Sequence, residues 1–436
     1  MNVAIAKNSL QPSGAGLAEV AARLPGGARV HEQRRRAYQA FEALGLPSRR
    51  VEDFKYTDLR ALMRSIAPLA PPPDAAALNR ARDALAQNAR EGLRPLVLVD
   101  GMVALELSDL AGLEQGLTIR SLRDALAGDD ILEFEGETPD AVAAYATAMA
   151  TDGFVIEIAA QAIVERPLHI VHIATTQNPA STATRSRLTL GEGATATFVE
   201  SFIVAGHAVG YQTFDTTTIQ IGNNARLEHL RLVEDAPDAI NLCVAATTLG
   251  ESATYNLFGF ARGGHVSRYQ ANIVCAGEGA HVATNGIAML NGRQHADTTI
   301  ILDHAVANCT SRETFRAVLD DRSHSVFQGR IIVRPHAQKT DAKMMTRALL
   351  LSDEAEADNK PELEIFADDV TCGHGATTGA LDDSLLFYLR ARGLDEKQAQ
   401  ALLIQAFVGE AIESIVDERL RDSVIASAER WLEARA

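Results

Sequence analysis

The phrase Leu190-Gly191-Glu-Gly-Ala194 returns as Ile221-Gly222-Asn-Asn-Ala225, Leu249-Gly250-Glu-Ser-Ala253 and Ala276-Gly277-Glu-Gly-Ala280, its first glycines 31, 28 and 27 residues apart. In each copy a β-rich run stops, a Gly-x-x-Ala turn follows, and a new alternating run begins, such as Thr195-Ala-Thr-Phe198 or Arg226-Leu-Glu-His229. Turn formers at fixed intervals mark corners. A strand-turn-strand unit at near-constant spacing predicts a solenoid of stacked β coils, each burying its face on its neighbours. A β-sandwich also carries turn signals at short intervals, but it does not usually repeat one phrase, so the β-helix is the expected core. The open ends of such a stack expose strand edges that invite another chain unless covered. Helical segments on both sides are candidate covers.

Composition sets the borders of this core. From about Phe154, Thr, Val, Ile and small residues alternate, and proline nearly vanishes between Pro179 and Pro335. Three regions are expected: residues 1–153, a helical N-terminal region with a small β-hairpin; 154–372, the β-helix; and 373–436, a C-terminal helical domain. In the first, His31 to Leu44 places Ala37, Tyr38, Phe41 and Leu44 at helical spacing, with Gly45 and Pro47 as the stop. The run Arg34, Arg35 and Arg36 reads as a solvated face of that helix. Leu96-Val-Leu-Val-Asp100-Gly101-Met-Val-Ala-Leu105 is two β-rich runs around an Asp-Gly hairpin turn. Thr138 is expected to cap an alanine-rich helix with Pro139 at its first position. In the last region, Leu381 to Arg392 has acidic residues first, arginines last and Gly393 after it. Asp395 caps a second helix to about Ile415, and a third amphipathic segment, Val416 to Leu432, holds the only tryptophan, Trp431.

With 436 residues, 47% hydrophobic and 22% charged, the chain can bury a large core, which excludes wholesale disorder. Its 41 basic and 57 acidic residues give a formal charge of -16, which repels phosphate backbones and anionic headgroups and argues against nucleic-acid or membrane binding. The cysteines, Cys243, Cys275, Cys309 and Cys372, lie 32, 34 and 63 positions apart without a C-x-x-C pair. That is neither a disulfide framework nor a permanent four-cysteine metal site. No apolar stretch suits a signal peptide or a membrane span, so a cytoplasmic location is expected.

The densest chemistry is Leu363-Glu-Ile-Phe-Ala-Asp-Asp-Val-Thr-Cys372-Gly-His374-Gly-Ala376. A thiol and an imidazole two residues apart among glycines can reach one site, and a thiolate binds soft metals; a small buried residue beside a polar turn residue explains the same pair. Cys243 and Cys275 read as core packing. Cys309, in Asp303-His304-Ala-Val-Ala-Asn-Cys309-Thr, has a more polar setting that suggests an exposed edge. His304 and His336 have polar neighbours, yet nothing ties them together in sequence. The G-x-x-x-x-G-K-[ST], H-E-x-x-H and G-x-S-x-G patterns are absent. If the chain serves an ATP-driven process, another subunit supplies the ATPase.

Asn359-Lys-Pro-Glu-Leu-Glu-Ile-Phe-Ala-Asp-Asp-Val-Thr-Cys372-Gly-His374-Gly-Ala-Thr-Thr-Gly379 with Leu386-Phe-Tyr-Leu-Arg-Ala-Arg-Gly393 resembles the signature of the SufB/SufD family of iron-sulfur cluster assembly proteins. Phe327-Gln-Gly-Arg-Ile, Ala337-Gln-Lys-Thr-Asp-Ala342 and Arg50-Val-Glu-Asp-Phe54-Lys-Tyr-Thr-Asp-Leu59 agree with it. The E-D-F-K-Y-T phrase, the His-Gly-Ala-Thr version of the C-terminal motif and the lack of an N-terminal cysteine cluster side with the SufD-like branch. Phe54 stands where tryptophan is usual and Gly373 where serine is common. The resemblance implies a right-handed parallel β-helix between helical ends. It also implies pairing with SufB through the β-helix and docking of the ATPase SufC on the C-terminal helices. A transient iron-sulfur cluster would form at the SufB/SufD interface, with His374 as metal ligand, Cys372 as second candidate, and no catalysis by this chain. Participation of a reduced flavin, and a homodimer when SufB is absent, stay open. A reading from another class is a β-helix carbohydrate-active enzyme acting on acidic glycans, which a chain of charge -16 suits poorly.

Overall fold

The computed structural model describes residues 16–128 and 140–435. Its strands are β1 (Arg94–Val99), β2 (Met102–Val103), β3 (Leu117–Ser121), β4 (Phe154–Ile158), β5 (Leu168–Ala174), β6 (Ser181–Leu190), β7 (Thr195–Val204), β8 (Gln212–Ile221), β9 (Arg226–Glu234) and β10 (Ile240–Leu249). They continue as β11 (Thr254–Ala261), β12 (Val266–Cys275), β13 (His281–Leu290), β14 (His295–His304), β15 (Thr310–Leu319), β16 (His324–Val333), β17 (Asp341–Leu350), β18 (Glu356–Ile365) and β19 (Thr371–Gly379). The helices are α1 (Leu17–Val20), α2 (Ala28–Leu44), α3 (Leu59–Met63), α4 (Ala75–Gln87), α5 (Leu122–Ala127), α6 (Ala141–Met149), α7 (Asp383–Ala391), α8 (Glu396–Ile412) and α9 (Glu418–Arg435).

From β4 onward the chain alternates between two sheets. One sheet, the even sheet, runs β18-β16-β14-β12-β10-β8-β6-β4 with β3 added at its end, and the other, the odd sheet, runs β19-β17-β15-β13-β11-β9-β7-β5-β1 with β2 added at its end. Neighbours from β4 to β19 within each sheet are parallel, so the core is a β-solenoid and not a sandwich. Each Gly-x-x-Ala phrase is the corner that carries the chain from an even to an odd strand. Its alanines, Ala194, Ala225, Ala253 and Ala280, form a buried column, because Thr195, Arg226, Thr254 and His281 pair directly from coil to coil. The glycines are required by close approach: a Cβ on Gly277 would lie 2.0 Å from the Glu251 backbone nitrogen, and one on Gly191 would lie 2.5 Å from that of Ala160. The third corner residue is left-handed in Gly193, Asn224, Ser252 and Gly279. Asn308 at φ 63° repeats it and reveals a fifth corner, Val306-Ala-Asn-Cys309. Pro361, which cannot donate to a ladder, lies in β18 at the sheet's edge.

The helices do not close the far end of the stack as expected. Helix α6 lies with α2 over the even sheet, around Ala183, Phe214, Leu242 and Val244. Helices α8 and α9 cover the odd sheet, where Ile404, Val408, Val424 and Trp431 meet Leu230, Phe258, Ile287 and Val318. The outward faces of a parallel solenoid are apolar as well as its interior, so covering the faces wins the helices. Among the described residues, β18 and β19 each have one strand partner only.

Two local expectations change. Arg34 is buried, donating to the Pro25 and Ala148 carbonyls at 3.1 and 3.0 Å, while Arg35 and Arg36 pair with Glu32 at the surface. Position 34 falls on the buried stripe of α2 with Val30 and Phe41, and the carbonyls of Thr147 and Ala148 at the end of α6 accept from one terminal nitrogen of its guanidinium. The cap of α6 is Asp140, whose side chain accepts from the Ala143 N–H; Thr138 and Pro139 lie outside the described residues. The Asp100-Gly101 turn joins β1 to β2, and Asp395 closes a capping box with Gln398 on α8. No described helix is long and apolar enough to cross a membrane.

Gly277→Ala is expected to destabilise the chain by about 1–3 kcal/mol, since backbone must move. Gly409→Ala, in α8 with open space at the Cβ position, is expected to be neutral or to add up to about 1 kcal/mol. Urea unfolding of both variants checks this, and equal effects would mean that the corner tolerates a side chain.

Candidate functional site

Cys372 and His374 lie on β19, the terminal strand of the odd sheet. Alternate residues of a strand share a face, and register fixes which one: Cys372 pairs with Ala342 and His374 with Met344, both buried. Cys372 is half-buried against the solenoid interior, and His374 is exposed because no further coil covers it. Thiol and imidazole therefore top the inward-facing columns at the open end. Burial pushes the Cys372 thiol up, with the charge of Asp341 adding to it, against a hydrogen bond from the Ala342 backbone. It is held as a thiol until a metal or base arrives.

The N-terminal phrase locks the neighbouring even sheet. Glu52 pairs with Lys360 on β18, Asp53 with Arg330 on β16 at 3.3 Å, and the Phe54 ring takes the Arg268 guanidinium at 4.1 Å. Thr57, fully buried, donates to Asp297 and lies 2.9 Å from His295 Nε2. Gln328, from the Phe327-Gln-Gly-Arg stretch, donates to the Asp53 carbonyl at 3.1 Å. These passages, far apart in sequence, form one clamp that holds the last even coils beside the open end.

Among the described residues, three further groups bring metal-binding side chains together, each with ligand atoms within 4.8 Å of one another: Cys275, His304 and Cys309; His172, Glu200 and Asp215; His324, Glu356 and Asp358. In the second, both carboxylates already have partners in an interior network. Glu200 bonds His229 and Thr217, and Asp215 bonds Thr184 and Thr217. In the third, His324 already bonds Asp358 at 2.8 Å and lies 3.1 Å from His295. Cys309, expected at an exposed edge, is completely buried, because it occupies the alanine column of the fifth corner. The neighbouring Cys275 thiol, and then His304, hold the Cys309 thiol below its ordinary range against the effect of burial. The one hint in sequence is spacing: Cys275 and His304 are 29 residues apart, and they pair directly from one coil to the next.

The class that the fold and site define is a parallel β-solenoid with an uncapped last coil, a Cys-x-His pair at that end and a clamped N-terminal phrase beside it. Residues 172–407 match the family described as SUF system FeS cluster assembly, SufBD core domain, and residues 26–66 match the SufBD protein N-terminal region. An iron-sulfur cluster assembly protein SufD of Escherichia coli is 35% identical over 397 residues, 88% of each chain. A SufBD family iron-sulfur cluster assembly protein of Synechocystis is 29% identical over 412 residues, 90% of each chain, and one of Mycobacterium leprae is 31% identical over 243 residues, 54% of this chain and 62% of the relative. The chain belongs to the SufBD family, on its SufD-like side, and takes part in iron-sulfur cluster assembly.

Two coils below this site is a group that sequence reasoning missed. Glu313 stands in the column Leu257, Thr284, Glu313, Met344, His374, buried with both carboxylate oxygens lacking a protein partner. Burial pushes its carboxyl up to about 8, so it is protonated at neutral pH in the folded chain and ionised in the unfolded one. Its contribution to stability is complete below the unfolded value of 4.5 and is lost as pH rises through about 8. Glu313→Gln is expected to flatten this part of the pH dependence: between pH 5 and pH 8 the urea midpoint should fall more in wild type than in the variant. Parallel curves would mean that the carboxyl is solvated.

Proposed function

We propose that the chain is a non-catalytic, cytoplasmic scaffold subunit that pairs with SufB and docks the ATPase SufC, so that a nascent iron-sulfur cluster forms at the SufB junction. The observation that carries this reading is the position of His374 and Cys372 on inward columns of a terminal strand whose outer edge is unpaired. An unpaired edge accepts strands of a second chain through main-chain hydrogen bonds, and a partner added there would bring its own thiolates over His374. In this role His374 supplies an exposed imidazole nitrogen to iron. Cys372, protonated and half-buried beside it, joins only after losing its proton, which makes it the second candidate. When bound, the cluster supplies the cargo, while this chain orients the ligand and excludes water from one side.

SufC is placed on the C-terminal helices. Helix α7 buries no residue, and Leu385, Phe387 and Tyr388 are exposed on it, Phe387 by 74%. A large apolar side chain so exposed beside others suits a protein partner better than solvent. The missing nucleotide-binding loop agrees with an ATPase supplied by another chain.

Co-purification with SufB and SufC, followed by anaerobic reconstitution and visible absorption, tests both parts. His374→Ala is expected to leave the complex intact and reduce cluster absorbance to background; undiminished absorbance would reject the ligand role. Phe387→Asp is expected to lose SufC while keeping SufB, and unchanged SufC recovery would remove α7 from the docking surface.

A further inference from the structure

The group at the fifth corner differs from the other two clusters in one respect. His304 is fully buried; its Nε2 lies 3.0 Å from Ser311 Oγ, and its Nδ1 has no hydrogen-bond partner. A bond from Nε2–H to the serine leaves Nδ1 with a free lone pair, and a ring nitrogen of His304 lies within 4.8 Å of the sulfurs of Cys275 and Cys309. An unpartnered buried ring nitrogen costs free energy unless something fills it. Fixing one imidazole nitrogen to a hydroxyl orients the other, an arrangement common to histidine metal ligands.

We propose that Cys275, His304 and Cys309 bind a single thiophilic d10 metal ion, zinc(II) or copper(I), inside the solenoid corner and apart from His374. Two thiolates and an imidazole form the soft donor set these ions select. The donors come from three places in the stack: the end of β12, the end of β14 and the turn before β15. The ion therefore ties two consecutive coils and their corner. Backbone carbonyls of Gly277 and Ala307 are each 3.5 Å from Cys309 Sγ and are the nearest candidates for a fourth, oxygen donor where zinc requires one. A surface groove along the corners, bordered by Gly250, Glu251, Gly277 and Glu278, comes nearest to the cluster at Gly277, whose carbonyl is the one 3.5 Å from Cys309 Sγ. Binding replaces the thiol protons, releasing up to two protons to solvent with no change in oxidation state of metal or sulfur.

Independence from the proposed role of His374 makes the test clean. Full-length chain is purified anaerobically with reductant and chelator, then titrated with Zn2+ or with Cu+ against a chromophoric competitor. The background variant is Cys372→Ser with His374→Ala, which removes the other thiol–imidazole pair. One ion per chain is expected to bind in wild type and in this double variant, and the arm with the tighter binding identifies the metal. Cys309→Ala in the same background is expected to weaken binding by more than about 100-fold, since losing a ligand exceeds the cost of losing a ligand's support. That variant restores the alanine of the four Gly-x-x-Ala corners, so the coil has a native solution without the thiol; circular dichroism confirms the fold. X-ray absorption on the loaded double variant is expected to show two sulfurs and a nitrogen at roughly 2.3 and 2.0 Å for zinc. Failure of the double variant to bind either ion, or equal binding by Cys309→Ala, overturns the proposal.

Discussion

Backbone hydrogen bonding from each coil to the coils before and after it is the constraint on which the rest of the molecule depends. Strands of a parallel ladder stand about 4.8 Å apart, and the corners must keep that spacing while the chain reverses direction. Nothing larger than glycine fits where Gly277 faces the Glu251 backbone. Only small side chains, the four alanines and then Cys309 and Thr340, fill the buried column behind it. Given those corners, register is fixed coil by coil, and register decides which side chains share the interior. The placement of Cys372 over Ala342 and His374 over Met344 is thus a consequence of corner geometry some distance away.

The same rule produces polar columns as readily as apolar ones. Arg231, held between the Phe202 and Tyr269 rings and bonded to Asn241, shares the interior with Glu200, His229 and Tyr255. Buried groups of this kind are tolerable when every member finds a partner. Glu313 and His304 Nδ1 are among the departures from that balance, and burial without a partner is why the Glu313 carboxyl is pushed up.

The solenoid could be read from sequence because corners have a narrow choice of residues and four of them keep it. The fifth was hidden: Val306 and Cys309 replace the glycine and alanine, and only the left-handed Asn308 betrays the turn. Cys275 and His304 look unrelated until one knows that 29 residues is one coil at that point. The Cys-x-His pair was visible as chemistry, but its place at an uncovered end was not, because helices that might have capped the stack are drawn to its faces. Arg34 was misassigned for a different reason. Its position lies on the buried stripe of α2, and charge argued for solvent where α6 carbonyls in fact receive it.

The uncovered end also has a thermodynamic meaning. In a one-dimensional stack each unit is stabilised by its neighbours, so a coil with a neighbour on one side only is the first to fray. Strands β18 and β19 are that unit, and their side chains are mostly exposed or half-buried. The strand that carries Cys372 and His374 is therefore the least protected part of the core, and a chain added at that edge would complete its order. Affinity for such a partner would include the free energy of finishing the fold, so that binding at this end and the rigidity of Cys372 and His374 would be coupled.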